Sequence, residues 1–153
     1  MINKKVFPSK NTSIISSRIT GQELQVRELI QSESIPFSFQ QVFMLTDCRY
    51  IVDFFLNKQI IMECASTSMY KYQIPLRKKA IHLEAKISQI KEHYPTLLVW
   101  VLLETHRPIL ETFSQTLVRL MPSVDQILLS QDELREALQA TFYVPIRSQG
   151  VNQ

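Results

Sequence analysis

The chain is poor in glycine, cysteine and histidine, and each shortage argues against a class of site. Its 153 residues include 2 glycines, 2 cysteines and 3 histidines. A glycine-rich phosphate loop is not expected, because neither G-x-G-x-x-G nor G-x-x-x-x-G-K-[ST] occurs. With no C-x-x-C pair and scattered histidines, the sequence lacks the usual ligand patterns of zinc. Two cysteines without a disulfide framework favour a reducing compartment.

Long apolar runs are also missing. No run reaches the roughly 18 residues that a membrane span needs, and the N-terminus lacks the apolar core of a signal peptide. We therefore expect a cytoplasmic protein with no membrane partner. The length and the 45% apolar content predict one domain over residues 18–145. A flexible basic arm is expected over 1–17, and a frayed tail over 146–153.

The pattern of apolar residues predicts an α/β fold. Three apolar segments joined by short turns indicate an antiparallel meander, and two later strands are separated by helices and so need crossover connections. We predict a central mixed sheet flanked by helices on both faces. The predicted strands cover 37–46, 49–56, 60–65, 96–104 and 124–130, and the helices begin after Thr20, at Pro75, at Pro108 and at a Ser130 or Asp132 cap. Helical spacing is clearest for Leu76, Ala80, Leu83, Ile87 and Ile90.

Charge is unevenly distributed along the chain. The net charge is +3, but residues 66–92 hold six bases against two acids. This basic block directly follows two strands that each carry an acid, which suits a polyanion held near a metal. A solvated helix face is the simpler explanation of the charge by itself.

Asp53 and Glu63 stand in the middle of two apolar strands, where an ionised carboxylate is costly unless it is compensated. A two-residue turn of Asn57 and Lys58 would direct the two acids to opposite faces of the sheet. A three-residue turn that includes Gln59 would place them directly opposite each other. We favour the three-residue turn because it keeps polar Gln59 out of the sheet.

Opposed acids must share a proton, find cationic partners or bind a metal. Mg²⁺ takes one or two carboxylates together with waters and phosphate, so we predict a Mg²⁺ site, with Mn²⁺ as a substitute. The alternative is that backbone amides, or Lys and Arg from the following helix, satisfy both acids.

These residues resemble the PD-(D/E)XK nuclease superfamily, and in particular its small branch similar to very-short-patch-repair endonucleases. The likeness runs from about Thr20 to Glu104 and rests on "GQELQVREL", "FSFQQ", "YIVDFFL" and "IIMEC". It implies a restriction-endonuclease-like fold in which Asp53 and Glu63 bind Mg²⁺. It also implies that Glu23 is a third acid, although a helix-capping role explains Glu23 equally well, and that the main-chain carbonyl of Cys64 is a metal ligand.

One position departs from the pattern of this superfamily. The third-strand motif is an acid, any residue and then Lys, but the Lys position here is Ala65. The resemblance allows a base from the next helix to replace that Lys. The candidates are Lys71, Arg77, Lys78 and Lys79, and spacing alone does not choose among them, but Lys79 neighbours the buried stripe and could reach back toward the sheet. The residues expected to contact nucleic acid are Lys71, Arg77, Lys78 and Gln41.

We therefore predict a Mg²⁺-dependent endonuclease that hydrolyses DNA phosphodiester bonds, in DNA repair or recombination. A homodimer would let a single site per chain cut both strands. The alternative, which Ala65 favours, is a catalytically inactive nuclease-fold protein that acts as a nucleic-acid-binding or assembly module. A weaker alternative is a small α/β protein whose acids are purely structural.

Overall fold

The computed structural model describes residues 21–66, 73–104, 109 and 111–143. Within these residues the chain forms four helices and one five-stranded sheet. In chain order the elements are α1 Gly21–Ser32, β1 Phe37–Met44, β2 Arg49–Leu56, β3 Ile60–Ser66, α2 Gln73–His93, β4 Leu98–Glu104, α3 Glu111–Leu120, β5 Gln126–Leu128 and α4 Gln131–Phe142. The predicted arm 1–17, the predicted tail 146–153, and Thr20 and Pro108 lie outside the described residues.

The strands lie side by side in the order β1-β2-β3-β4-β5. The pairs β1–β2 and β2–β3 are antiparallel, whereas β3–β4 and β4–β5 are parallel. Short turns join the antiparallel strands, and the helices α2 and α3 lie in the connections between the parallel ones, as parallel pairing requires. The predicted α/β fold with a mixed sheet is therefore confirmed.

Helices cover both faces of the sheet, and each face has its own apolar cluster. The α2 face is packed by α2 and α3 and contains Val52, Ile61, Val99, Val101 and Leu103 from the strands. The α1 face is packed by α1 and α4 and contains Phe54, Leu56, Met62, Trp100 and Leu102. All five residues of the predicted stripe in α2 are buried against the first face. The central strand β4 is covered on both sides, which explains its continuous apolar sequence.

Three strands are shorter than predicted, because their ends are taken up by turns. β4 begins at Leu98 rather than at residue 96, since the Leu97 N–H bonds to the Tyr94 carbonyl. β1 stops at Met44, since the Leu45 N–H bonds to the Cys48 carbonyl and closes the turn. β5 spans Gln126–Leu128, because the Val124 N–H already bonds to Met121. The α4 start is as predicted, with Ser130 as N-cap accepting the Glu133 N–H.

None of the helices in the described part of the chain is both long and apolar enough to cross a membrane.

Candidate active site

The turn between β2 and β3 sets the relative position of the two acids. Leu56 pairs with Ile60, and Phe54 pairs with Met62. The turn therefore contains three residues, as predicted, and the Gln59 N–H bonds back to the Leu56 carbonyl at 2.9 Å. The next opposed position along the two strands belongs to Asp53 and Glu63.

The sheet divides at these two acids. The ladder between β2 and β3 runs from the Leu56–Ile60 pair to the Phe54–Met62 pair. Beyond it, β3 continues beside β4 as far as Ser66, while β2 continues beside β1 to Arg49. Asp53 and Glu63 thus lie at a fork, where the backbones of β2 and β3 separate.

The hairpin of β1 and β2 also changes faces at the fork. Regular alternation would place Val52 and Phe54 on the same side of β2, yet Val52 packs on the α2 face and Phe54 on the α1 face. β1 changes in the same way between Phe39 and Phe43. Gln40, at the register position opposite Asp53, has a φ of 56°. The outer half of the hairpin therefore turns toward α2.

At the fork the two carboxylates replace the missing ladder acceptors. The Asp53 N–H donates to Glu63 Oε2 at 2.8 Å, and the Cys64 N–H donates to Asp53 Oδ2 at 2.8 Å. Each acid thus accepts a main-chain amide from the opposite strand. These amides would otherwise be left without a partner where the strands part. Backbone amides therefore satisfy part of both carboxylates, as in the alternative to a metal site.

The remaining compensation comes from α2. Lys86 Nζ lies 2.7 Å from Glu63 Oε1 and 2.8 Å from the Ile51 carbonyl, and 5.8 Å from the centroid of the Tyr50 ring. The Glu63 side chain is only 7% exposed and that of Lys86 is 22% exposed. The ion pair therefore lies largely out of water, where charge attraction is strong.

Electrostatics distinguish Asp53 from an ordinary surface acid. The pKa of Asp53 is raised from 3.8 to about 7. Burial is the largest cause, the negative charges of Glu63 and Glu23 add to it, and the Cys64 amide and Lys86 oppose it. Burial likewise raises the pKa of the Cys64 thiol well above its usual value. A proton and an added cation would therefore compete for Asp53 near neutral pH.

Glu23 and Cys64 both lie near the fork. Glu23 is in the first turn of α1, close enough for its charge to act on Asp53. Cys64 contributes its N–H, as described above, and the metal-binding role of its carbonyl stays a prediction.

The cation at the acid pair differs from the one that we favoured. Lys79 is half-buried on α2 and, within the described residues, forms no ion pair with either acid, whereas Lys86 does. The two lysines are seven residues apart, which places them on the same side of the helix about 10 Å apart. Lys86 was not among the predicted candidates, because the sequence does not show which turn of α2 lies over the fork.

Ala65 lies in apolar surroundings. Its side chain is 6% exposed and belongs to the apolar cluster of the α2 face. A charged head group there would be buried among hydrocarbon. Lys86 instead brings an ammonium to the same face from the helix above it.

The residues predicted to contact nucleic acid are spread over the surface. Arg77 lies over the ring of Phe113 at 5.6 Å, and Lys78 is exposed on α2. Gln41 bonds through Nε2 to the Val42 carbonyl at 3.3 Å. Lys71 lies outside the described residues, and the contact of the other three with nucleic acid stays a prediction.

The donor set at the fork suits Mg²⁺ better than a metal that needs a full protein cage. In the described ranges no group of three or more His, Cys, Asp or Glu side chains could hold a metal ion. Mg²⁺ needs only one or two carboxylates, because it keeps several waters and takes phosphate oxygens as ligands. Asp53 and Glu63 are two such carboxylates, and their binding of Mg²⁺ stays a prediction.

Comparison with known proteins identifies no family. No protein-family model matches the chain, and a search of curated proteins finds no significant relative. One solved structure, of a protein of unknown function named AF1548, aligns with 84% of this chain and 73% of its own. It has a TM-score of 0.47 and 11% sequence identity.

Proposed function

We propose that this chain is a Mg²⁺-dependent nuclease that hydrolyses DNA phosphodiester bonds at the fork between β2 and β3. The observation that carries the proposal is the direct opposition of Asp53 and Glu63, with the Lys86 ammonium 2.7 Å from Glu63. Two acids and a cation around a gap between strands make a site for a divalent ion and a phosphate.

Each residue has a distinct part in this proposal. Asp53 and Glu63 hold the metal, and Glu23 adds negative charge beside Asp53. Bound Mg²⁺ would polarise the phosphate and lower the pKa of an attached water. Lys86 can donate from its ammonium to a water or phosphate oxygen next to Glu63, which is the role that the resemblance assigns to the missing motif lysine.

A second candidate, a non-cleaving DNA-binding or assembly protein, is favoured by one specific observation. Both carboxylates already accept a main-chain N–H, and Glu63 also has Lys86. The fork is thus compensated without a metal, as a scaffold that has lost cleavage would require.

A cleavage assay separates the two candidates. Plasmid, single-stranded and branched DNA are incubated at pH 8 with Mg²⁺, with Mn²⁺ or with EDTA. We expect metal-dependent cleavage by the wild type, strong loss in Asp53→Asn and Glu63→Gln, and little change in Asp47→Asn, which alters the same charge at an exposed turn. Equal cleavage by wild type and Asp53→Asn would reject the nuclease. DNA binding without cleavage in either metal would favour the second candidate.

The proposal also implies partners and a compartment. A nuclease with one site per chain cuts both strands most simply as a homodimer, so we expect two copies on duplex DNA. Cys48 and Cys64 are both free thiols, in keeping with a reducing cytoplasm.

A further inference from the structure

A cleft of about 440 Å³ opens beside the start of β1 and the turn between β2 and β3. It is lined by Pro36, Phe37, Ser38, Phe55, Asn57 and Lys58. Pro36 precedes the edge strand β1, Phe37 and Ser38 begin it, and Asn57 and Lys58 belong to the turn between β2 and β3. The cleft therefore lies at the margin of the sheet, where a ligand can enter from solvent.

The wall formed by the turn has an unusual backbone. Asn57 and Lys58 have φ values of 50° and 56°, in the left-handed region that side chains other than Gly, Asn and Asp rarely adopt. The conformation is held by hydrogen bonds from the Asn57 N–H to the Pro36 carbonyl at 2.7 Å and from the Gln59 N–H to Leu56. A lysine kept in this conformation is a reason to look for a function at the turn.

The lining combines an aromatic ring with one positive charge. Phe55 is half-buried on the α2 face and Lys58 is exposed, whereas the ring of Phe37 packs on the α1 face. None of the described residues that line the cleft carries a negative charge. Such a lining suits a flat aromatic group attached to an anion, because rings stack on aromatic side chains and a lysine attracts phosphate.

The cleft is also close to the proposed active site. Phe55 is two residues from Asp53 along β2, a distance of roughly 7 Å. Phe55 packs on the α2 face, the face from which Lys86 reaches Glu63. A nucleic-acid strand whose phosphate lies at the fork can therefore place a neighbouring nucleotide at the cleft.

We propose that this cleft binds an unpaired nucleotide of the DNA strand, with its base against Phe55 and its phosphate at Lys58. The inference rests on the proposed function and narrows the substrate to DNA with a single-stranded segment next to the cleaved bond. Bases held in a duplex are already stacked on each other, so only an unpaired base has a free face that can stack on Phe55.

The test measures binding without metal, so that cleavage plays no part. Fluorescence anisotropy of a labelled twelve-nucleotide thymidine strand is recorded in EDTA over a range of salt concentrations. The variants are Lys58→Gly, Phe55→Leu and, as a control with the same charge change, Arg119→Ala on α3. Glycine adopts the left-handed conformation readily, so Lys58→Gly should melt at or above the wild-type temperature, and weaker binding could not be attributed to unfolding.

We expect Lys58→Gly to reduce the slope of log K against log salt by about 0.7, as for one lost phosphate contact on a single strand. Phe55→Leu should weaken binding by about fivefold or more, the value of one lost stacking contact. Arg119→Ala should change neither quantity. The inference would be overturned by any of three results. Lys58→Gly could have no effect, it could have the same effect as Arg119→Ala, or a duplex could bind more tightly than the single strand.

Failure of this inference can be distinguished from failure of the nuclease proposal. Cleavage that depends on Asp53 together with binding that ignores Lys58 would reject the cleft alone. Binding that depends on Lys58 without any Asp53-dependent cleavage would reject the nuclease alone.

Discussion

Replacing Asp53 by asparagine should stabilise the protein at high pH while disabling the proposed site. Asparagine has nearly the same shape and keeps an oxygen that can accept the Cys64 N–H. What the substitution removes is a negative charge that is buried beside Glu63 and near Glu23. The expected gain therefore depends on whether Asp53 is charged, and so on pH.

The sign and size of the expected change in stability follow from the raised pKa of Asp53. Between pH 3.8 and about 7 the native protein keeps the Asp53 proton while the unfolded chain releases it, so the free energy of unfolding falls as pH rises through that interval. The pKa of Asp53 is raised by roughly three, and each pKa unit corresponds to about 1.36 kcal/mol, so the stability lost between low and high pH is at most about 4 kcal/mol. Partial exposure of Asp53 reduces this, and we expect on the order of 2 kcal/mol.

Urea unfolding in EDTA at pH 4, 6 and 8 measures the effect. Wild type and Asp53→Asn should have similar free energies of unfolding at pH 4, and the variant should be the more stable by pH 8. Asp47→Asn serves as the matched control and should show no such divergence. An Asp53→Asn variant that is less stable than wild type at pH 8, or a difference that does not change with pH, would refute the argument.

Three further outcomes are expected. Lys86→Met should lower the free energy of unfolding, measured with urea, by about 3 kcal/mol. This is near the lower end for breaking a buried pair, because Lys86 is 22% exposed. Adding Glu63→Gln should restore part of the lost stability, and a double variant no more stable than Lys86→Met would contradict the pairing. Ser130→Ala should cost about 1 kcal/mol through loss of the α4 cap, whereas Ser130→Asp should cost little in thermal melts. Mn²⁺ affinity, measured by electron paramagnetic resonance, should rise between pH 6 and 8 as Asp53 loses its proton, and a flat profile would exclude Asp53 as a ligand.

Much of the site could be predicted because it depends on local turn geometry. The preference for keeping Gln59 out of the sheet fixed the register and hence the opposition of Asp53 and Glu63. The apolar spacing in α2 likewise identified its buried side, because helical periodicity is visible in one segment by itself.

The remaining features depend on how elements meet, which one segment does not reveal. The face change at Gln40 and Asp53 was not predicted, because Gln40 has none of the glycine or asparagine signals of a positive φ. Lys86 was missed since it lies two helical turns beyond Lys79, and only the packed structure shows which turn of α2 stands over the fork. The main-chain amides of Asp53 and Cys64 donate to carboxylates instead of to carbonyls of the neighbouring strand. This was not predicted either, because it depends on the separation of β2 and β3.

The central claim is that Asp53 and Glu63 jointly hold a divalent cation. The most direct measurement is an anomalous difference map from crystals of the wild type soaked in millimolar Mn²⁺ at pH 8. We predict a peak at the fork, within coordination distance of one carboxylate oxygen from each acid and lost in Asp53→Asn crystals. Well-ordered carboxylates without any peak between them, still bound to Lys86 and the Cys64 amide, would contradict the account.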